Sequence, residues 1–180
     1  MIVKHSHQLP PPEARERAKR LVAGLKEAGI DFVSYLPETR LSQILPLMRE
    51  DPSFQLAPVA SEAEAVTIAA GAVLGGKQAA CYIESTGIYV SCYSLVTVGK
   101  QLGVPLLLLV GFLGGFGDQR NSFLYSTIGA HALPVLEALS IPHEVVESGD
   151  GLEAKIKTAV RSMNAMRSPA ALVFAGDFTI

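Results

Sequence analysis

The chain has 180 residues, 49 % of them hydrophobic and 18 % charged, with a formal net charge of -2. That length fits one domain with its own core, and the near-neutral balance leaves no basic footprint for nucleic acid. No run of about 18 apolar residues offers a membrane span, and Cys81 and Cys92 have neither zinc nor redox spacing, so buried free thiols in a reducing compartment are expected.

Residues 1–12 are expected to form a tail and 13–180 the domain. Met1 to Gln8 lacks the apolar segment and small-residue cleavage site of a signal peptide, which implies a cytoplasmic location. His5 and His7, just ahead of Pro10-Pro11-Pro12, read as solvated side chains rather than metal ligands. Glu13 to Ala28 has Ala18, Leu21, Val22, Leu25 and Ala28 at helical spacing opposite Arg15, Arg17 and Lys19, an amphipathic surface helix that Gly29 ends. Asp31 to Leu36 reads as a strand closed by Pro37, Leu41 to Arg49 as a second helix, and Phe54 to Val59 as the next strand.

Ser61 to Gly76 is the stretch around which the chain is organised. Ser61 and Glu64 have the spacing of a capping box, in which the serine hydroxyl holds the first turn and the glutamate reaches back to the Ser61 amide. Glu62 is left without a capping role at the mouth of a helix whose body, from Ala65 to Val73, is apolar on every side and therefore expected to be buried. Such a carboxylate is either a partner of the helix dipole or a working group, and spacing leaves both readings open.

Beyond it, Gln78 to Glu84 reads as a strand, Thr86-Gly87 as a turn and Tyr89 to Leu102 as an apolar helix. Leu106 to Val110 is an unbroken apolar run, the pattern of a central parallel strand covered on both faces. Gly111 to Tyr125 is a long irregular segment expected to be mobile and to close over substrate. Its glycines do not match a dinucleotide fingerprint, because no helix follows at once. Helix His131 to Leu139, strand His143 to Glu147, helix Leu152 to Met166 and strand Ala170 to Ala175 complete the alternation. The fold expected is therefore a single-domain three-layer α/β/α with a six-stranded, mostly parallel sheet, and ligands are expected beyond the carboxyl ends of the strands. His143 beside Pro142 reads as structural; His131 reads as an exposed first-turn residue or an acid/base group.

The run Glu62, Ala69-Ala70-Gly71-Ala72, Leu74, Gly76-Lys77, Thr86-Gly87 and the apolar strand ending at Gly111 resembles the pyrimidine-binding domain of thiamine diphosphate dependent 2-oxoacid decarboxylases. Within that family it is most similar to the α subunit of sulfopyruvate decarboxylase and the N-terminal half of phosphonopyruvate decarboxylase. The resemblance runs from about Leu21 to Phe174. It implies that Glu62 is catalytic, hydrogen-bonding N1′ of the aminopyrimidine to activate the cofactor. It also implies that Pro37, Thr86 and Gly87 line the cofactor, and that the thiamine diphosphate is shared with a β subunit carrying the diphosphate-binding domain and Mg2+. This chain would then hold no metal, and the substrate would be a small 2-oxoacid.

The sequence departs from the family in having Glu84-Ser85-Thr86-Gly87 where Gln-Asn-Ser-Gly is usual, and Leu113 where an arginine often stands. Arg120, Tyr125 and His131 remain as candidate substrate residues. Gly149-Asp150-Gly151 is not followed by the asparagine of a magnesium motif, and Ser148 to Asp150 reads instead as the turn ahead of the helix from Leu152. A regulatory or scaffold subunit that keeps the fold is the alternative, with a nucleotide-binding protein behind it. The apolar content further predicts that the chain does not act as a monomer, with homo-oligomers forming even without the partner.

Overall fold

The computed structural model of the chain describes residues 11–114, 123–176, 178 and 179, for 123 and 124 the backbone alone. His5, His7, Arg120 and most of the glycine-rich segment lie outside the described residues. Six strands are formed: β1 Phe32–Tyr35, β2 Gln55–Pro58, β3 Ala79–Glu84, β4 Leu107–Phe112, β5 His143–Val146 and β6 Ala170–Ala175. All pair in parallel in the order β2-β1-β3-β4-β6-β5, so the sheet is wholly rather than mostly parallel. Parallel neighbours require crossover connections, and helices supply them. These are α1 Pro12–Glu27, α2 Ile44–Glu50, α3 Glu62–Leu74, α4 Thr86–Val90, the single turn α5 Cys92–Ser94, a π-helical stretch Leu95–Gln101, α6 Phe123–Ala138 and α7 Leu152–Met166.

The strands are apolar at successive positions because each face meets a helical layer. Leu107 and Leu109 of β4 join Leu21 and Leu25 of α1, Met48 of α2 and Ile156 of α7 in one buried cluster. Leu108 and Val110 join Ala65 and Ala69 of α3, Ile88 of α4 and Leu136 of α6 in the other. Three layers result, as the run from Leu106 to Val110 predicts.

The order of the strands fixes where a cleft opens. From β1 the chain crosses by α2 on one face to β2, and from β2 it returns by α3 on the other face to β3. Adjacent strands whose connections leave on opposite sides part at their carboxyl ends, and the crevice between β1 and β3 is such a switch point. Glu38 after β1, Glu62 after β2 and Glu84 at the end of β3 all stand at this end of the sheet.

Three expectations are corrected. Thr86 and Gly87 open α4 instead of forming a turn ahead of a helix, and the helix expected over Tyr89 to Leu102 is broken into α4, α5 and the π-helical stretch. The break falls at Ser91, fully buried with φ -95 and ψ 0. Gly99 in the π-helical stretch packs on Pro169, so tightly that a Cβ there would come 2.6 Å from the ring. The last long helix of that layer starts at Phe123, not at His131, because Gly129 is a packing position and not a break. It lies on Gly114, and a Cβ on Gly129 would fall 2.1 Å from the Gly114 carbonyl oxygen. The stretch expected to be irregular, Gly111 to Tyr125, is narrowed at both ends: β4 runs on to Phe112, paired with Ala175, and α6 begins at Phe123.

The third correction concerns α3. Ala65, Val66, Ala69 and Ala70 are buried, but Ile68 is 36 % and Leu74 70 % exposed in the single chain. Exposed Ile68 and Leu74 on a helix with no charge beyond its first turn point to a surface that another molecule covers.

Candidate functional site

The N-terminus of α3 is held rigidly. Ser61 Oγ accepts the Glu64 amide at 3.3 Å, and Glu64 Oε2 accepts the Ala60 amide at 2.7 Å. The cap therefore closes one residue earlier than expected, on Ala60 rather than Ser61. Below it, Ser34 of β1 donates its hydroxyl to the Ala65 carbonyl at 2.7 Å, and the buried Cys81 thiol of β3 lies 3.4 Å from the same oxygen. Two strands thus fix the first turn of the helix that carries Glu62.

Glu62 is half-buried at the first position of α3. Its side chain lies across the corner where β3 becomes α4. A Cβ on Gly87 would sit 2.6 Å from Glu62 Cγ and 2.8 Å from Glu62 Cβ, with Ile83 at 3.2 Å behind. Only a residue without a side chain allows that approach. Among the described residues no donor hydrogen-bonds the Glu62 carboxylate, so it is available to a ligand.

Glu84 stands on the same corner, half-buried, with the Thr86 hydroxyl donating to it at 3.1 Å. Burial pushes its carboxyl above the usual carboxylate range, and the negative charge of Glu62 adds to this, against the Thr86 hydrogen bond and the Arg40 cation. Beneath lies Glu38, buried, accepting the amides of Arg40 and Leu41 at 2.6 Å each and the Tyr82 hydroxyl at 2.9 Å. Burial raises Glu38 as well, the two amides and Tyr82 opposing it. Gly111 makes room for this carboxyl, since a Cβ there would come within 2.4 Å of it. Arg40 is buried to 1 % exposure, and its carbonyl takes the amide and hydroxyl of Thr179 at 3.0 and 2.9 Å, so the C-terminal segment straps the β1 to α2 connection. The fully buried Ser85 ties the corner to the end of β4, donating its amide to Gly111 and accepting the Leu113 amide on its hydroxyl.

Of the residues expected at the site, Glu62, Thr86 and Gly87 come together at this corner, and Pro37 lies exposed just past the end of β1. Tyr125 occupies the first turn of α6 with 36 % exposure. His131 is not a first-turn residue: it is exposed further along α6, its Nδ1 2.9 Å from the Thr127 carbonyl of its own helix. Arg120 lies outside the described residues. Sequence reasoning gave no site role to Glu38, Arg40 and Tyr82, whose local patterns are those of a turn and of a strand interior, and read Gly111 as the end of the apolar strand and the start of the irregular segment. Among the described residues no group of three His, Cys, Asp or Glu is arranged to hold a metal ion, and no helix is long and apolar enough to cross a membrane.

No family model matches the chain. The sulfopyruvate decarboxylase α subunit of Methanocaldococcus jannaschii is 29 % identical over 150 residues, 83 % of this chain and 88 % of that one. The α subunits of this decarboxylase are homologues of the chain. A sulfopyruvate decarboxylase of Methanosarcina acetivorans is 26 % identical over 71 % of this chain but only 32 % of its own length, so there the matching part is one portion of a longer polypeptide. Among solved structures, the 2-oxoglutarate:ferredoxin oxidoreductase of Magnetococcus marinus superposes with a TM-score of 0.65 over 91 % of this chain and 29 % of its own, at 16 % identity. That likeness speaks to the fold, a six-stranded parallel α/β domain.

Proposed function

We propose that the chain is the α subunit of a heteromeric, thiamine diphosphate dependent 2-oxoacid decarboxylase of the sulfopyruvate and phosphonopyruvate decarboxylase type. It would cradle the aminopyrimidine, with the diphosphate and Mg2+ held by a separate β subunit. The observation that carries the reading is Glu62, a half-buried carboxylate on a rigidly capped helix at the switch point of the sheet, with no donor among the described residues. The residues present fit the cofactor ring: an oriented, unengaged acceptor is what a protonated ring nitrogen needs, and partial burial strengthens that contact.

When bound, thiamine diphosphate supplies the electron sink into which carbon dioxide is lost. The pyrimidine end of the cofactor falls to this chain's residues. Glu62 would hold a proton at the ring nitrogen, Gly87 keeps the carboxylate in place, and Pro37 and Thr86 would help to hold the ring. Arg120, Tyr125 and His131 are the candidates for contact with the 2-oxoacid. Exposed Ile68 and Leu74, further along the helix that Glu62 begins, support a partner subunit seated beside the site, as the α-subunit names of the relatives suggest.

The test is Glu62→Gln beside Glu64→Gln in the chain reconstituted with its partner, thiamine diphosphate and Mg2+. The first is expected to fold and assemble while losing on the order of 100- to 10,000-fold in turnover and in C2 proton exchange of the cofactor, the scale of a positioned acid/base group. The second keeps an oxygen for the Ala60 amide and should behave as the parent. Parent-like exchange in Glu62→Gln would turn the chain into a regulatory or scaffold subunit that has kept the fold.

A further inference from the structure

The β1 to α2 connection holds with one side and presents with the other. Glu38 and Arg40 are buried, whereas Pro37 and Thr39, which alternate with them, are exposed. The buried side is tied to the sheet. Tyr82 of β3 places its hydroxyl 2.8 Å from the Glu38 carbonyl oxygen and 2.9 Å from the Glu38 carboxyl. That carboxyl takes the Arg40 and Leu41 amides at 2.6 Å each and fills the space over Gly111 of β4. The Gly111 carbonyl in turn accepts the amide of Ser85, the residue before Thr86, at 3.0 Å. The underside of the connection and the corner that carries Thr86 and Gly87 therefore rest on one glycine.

A further tie comes from far along the chain. Gly176, in the left-handed region at φ 64, follows the end of β6, and beyond it Phe178 and Thr179 are buried. Phe178 is anchored on two elements: its carbonyl accepts Arg17 Nε–H of α1 at 2.6 Å, and its ring stands 4.9 Å from that of Phe174 on β6. The Arg17 guanidinium lies 5.6 Å from the centre of the same ring. Thr179, fully buried, then donates both its amide and its hydroxyl to the Arg40 carbonyl, at 3.0 and 2.9 Å. Arg40 is thus gripped through its N–H by Glu38 and through its carbonyl by Thr179.

We propose that Phe178 and Thr179 form a strap that sets the β1 to α2 connection for ligand binding, which makes Thr179 a positioning residue for the candidate site. A loop that must be ordered at the moment of binding subtracts its ordering from the affinity. With Arg40 and Glu38 held from beneath, Pro37 and Thr39 are already in place when the ligand arrives. The strap is buried and acts only through Arg40, Glu38 and Gly111. The ligand is the thiamine diphosphate of the function proposed above, so the inference rests on that reading for its consequence.

Two measurements separate the strap from that function. Thr179→Val keeps the shape and the amide bond and removes the hydroxyl, so the Arg40 carbonyl retains a donor and the fold should persist. In the full chain without ligand, hydrogen exchange at the Arg40 and Leu41 amides should quicken about two- to tenfold, the scale of one net hydrogen bond. The amides of Leu107 to Val110 on β4 should exchange as in the parent. In the chain reconstituted with its partner, apparent affinity for thiamine diphosphate with Mg2+ should fall by a similar factor at a temperature where the variant is fully folded. A purely structural role would not produce that loss. Thr179→Ser, which restores the hydroxyl, should bring both readouts back toward the parent. Phe178→Leu, which removes the ring contacts at the other end of the strap, serves if Thr179→Val does not fold.

Unchanged exchange at Arg40 and Leu41 in folded Thr179→Val overturns the inference, as does exchange quickened equally on β4, which is loss of global stability alone. Quickened local exchange with parent-like cofactor affinity also overturns it, since the strap would then hold the connection without serving the site. If the parent itself binds no thiamine diphosphate, it is the proposed function that falls, and quickened exchange confined to Arg40 and Leu41 would still support the strap.

Discussion

Gly87 and Glu62 are in van der Waals contact across the corner between β3 and α4, and the contact leaves no space for a methyl group: a Cβ on Gly87 would stand 2.6 Å from Glu62 Cγ. The atoms met are at the root of the glutamate side chain, next to a capped helix start, so the chain cannot simply swing aside. Gly87→Ala is therefore expected to push the Glu62 carboxylate out of place by a fraction of an ångström to an ångström. Displacement on that scale costs on the order of 100-fold in rate, while the fold loses about 1 to 3 kcal/mol from overpacking. Turnover and C2 proton exchange of the reconstituted enzyme, read beside thermal unfolding, check it. Parent-like exchange in a folded Gly87→Ala chain would show that Glu62 is not held by this contact.

The buried carboxyl of Glu38 gives a prediction in pH. Burial raises it above the usual range in the folded chain, against its amide and Tyr82 partners. A carboxyl that binds its proton more tightly folded than unfolded contributes stability that is fully present below its unfolded pKa and is lost as pH rises through the folded value. Glu38→Gln has no such proton, so the difference in unfolding free energy, parent minus variant, should shrink as pH rises from about 5 to 8. Tyr82→Phe removes one donor to the same group and should cost about 1 to 3 kcal/mol. Urea unfolding at several pH values decides both, and a parent-minus-variant difference that grows with pH would refute the assignment.

The strands were legible because each is announced locally. Leu106 to Val110 is apolar without alternation, Pro37 and Gly29 bracket β1, and β6 carries the bounds its sequence suggests. What failed was the start of α6, expected at His131 and found at Phe123: Gly129 lies inside the helix, packed on Gly114, 15 residues away in sequence, and no local pattern reports that. The corner was legible in part. Glu62 stands out as a carboxylate without a capping task, and Thr86-Gly87 as a motif. Glu38, Tyr82, Arg40 and Gly111 become one polar cluster only when β1, β3 and β4 are brought side by side, since their meeting is a property of strand order and not of spacing. The apolar circumference of α3 was read as burial within the chain, whereas Ile68 and Leu74 remain open.

The two cysteines should differ sharply. Cys81 is fully buried on β3 against Ser34 and Ala65, and burial pushes its thiol up to about 12. Cys92 is half-buried at α5. Since the thiolate is the reacting species, iodoacetamide at neutral pH should label Cys92 in the folded chain and leave Cys81 untouched until denaturant is added. Mass mapping of the labelled peptides tests this. Equal labelling of both under native conditions would mean that β3 does not sit between the two helical layers as described.

The open apolar surface leads to the last prediction. Ile68 and Leu74 of α3 are exposed, and the neighbouring α4, α5 and π-helical layer adds Val90 at 55 %, Tyr93 at 80 % and Val96 at 42 % exposure. The two helical runs pack on each other, and α3 begins at Glu62, so a subunit covering these residues would also border the candidate site. Large exposed aromatic and aliphatic side chains near the centre of an interface are where truncation or charge is most costly. Tyr93→Glu and Leu74→Glu are each expected to weaken association with the partner subunit by roughly tenfold or more. Both positions are on the surface of the single chain, so its own thermal unfolding should change little. Sedimentation of the purified chain, alone and mixed with its partner, together with Ala138→Glu on an exposed position of α6 as a control, reads the effect. If Tyr93→Glu and Leu74→Glu assemble as the parent does while the control is the one impaired, the partner sits on a different face and the site is not completed from this side.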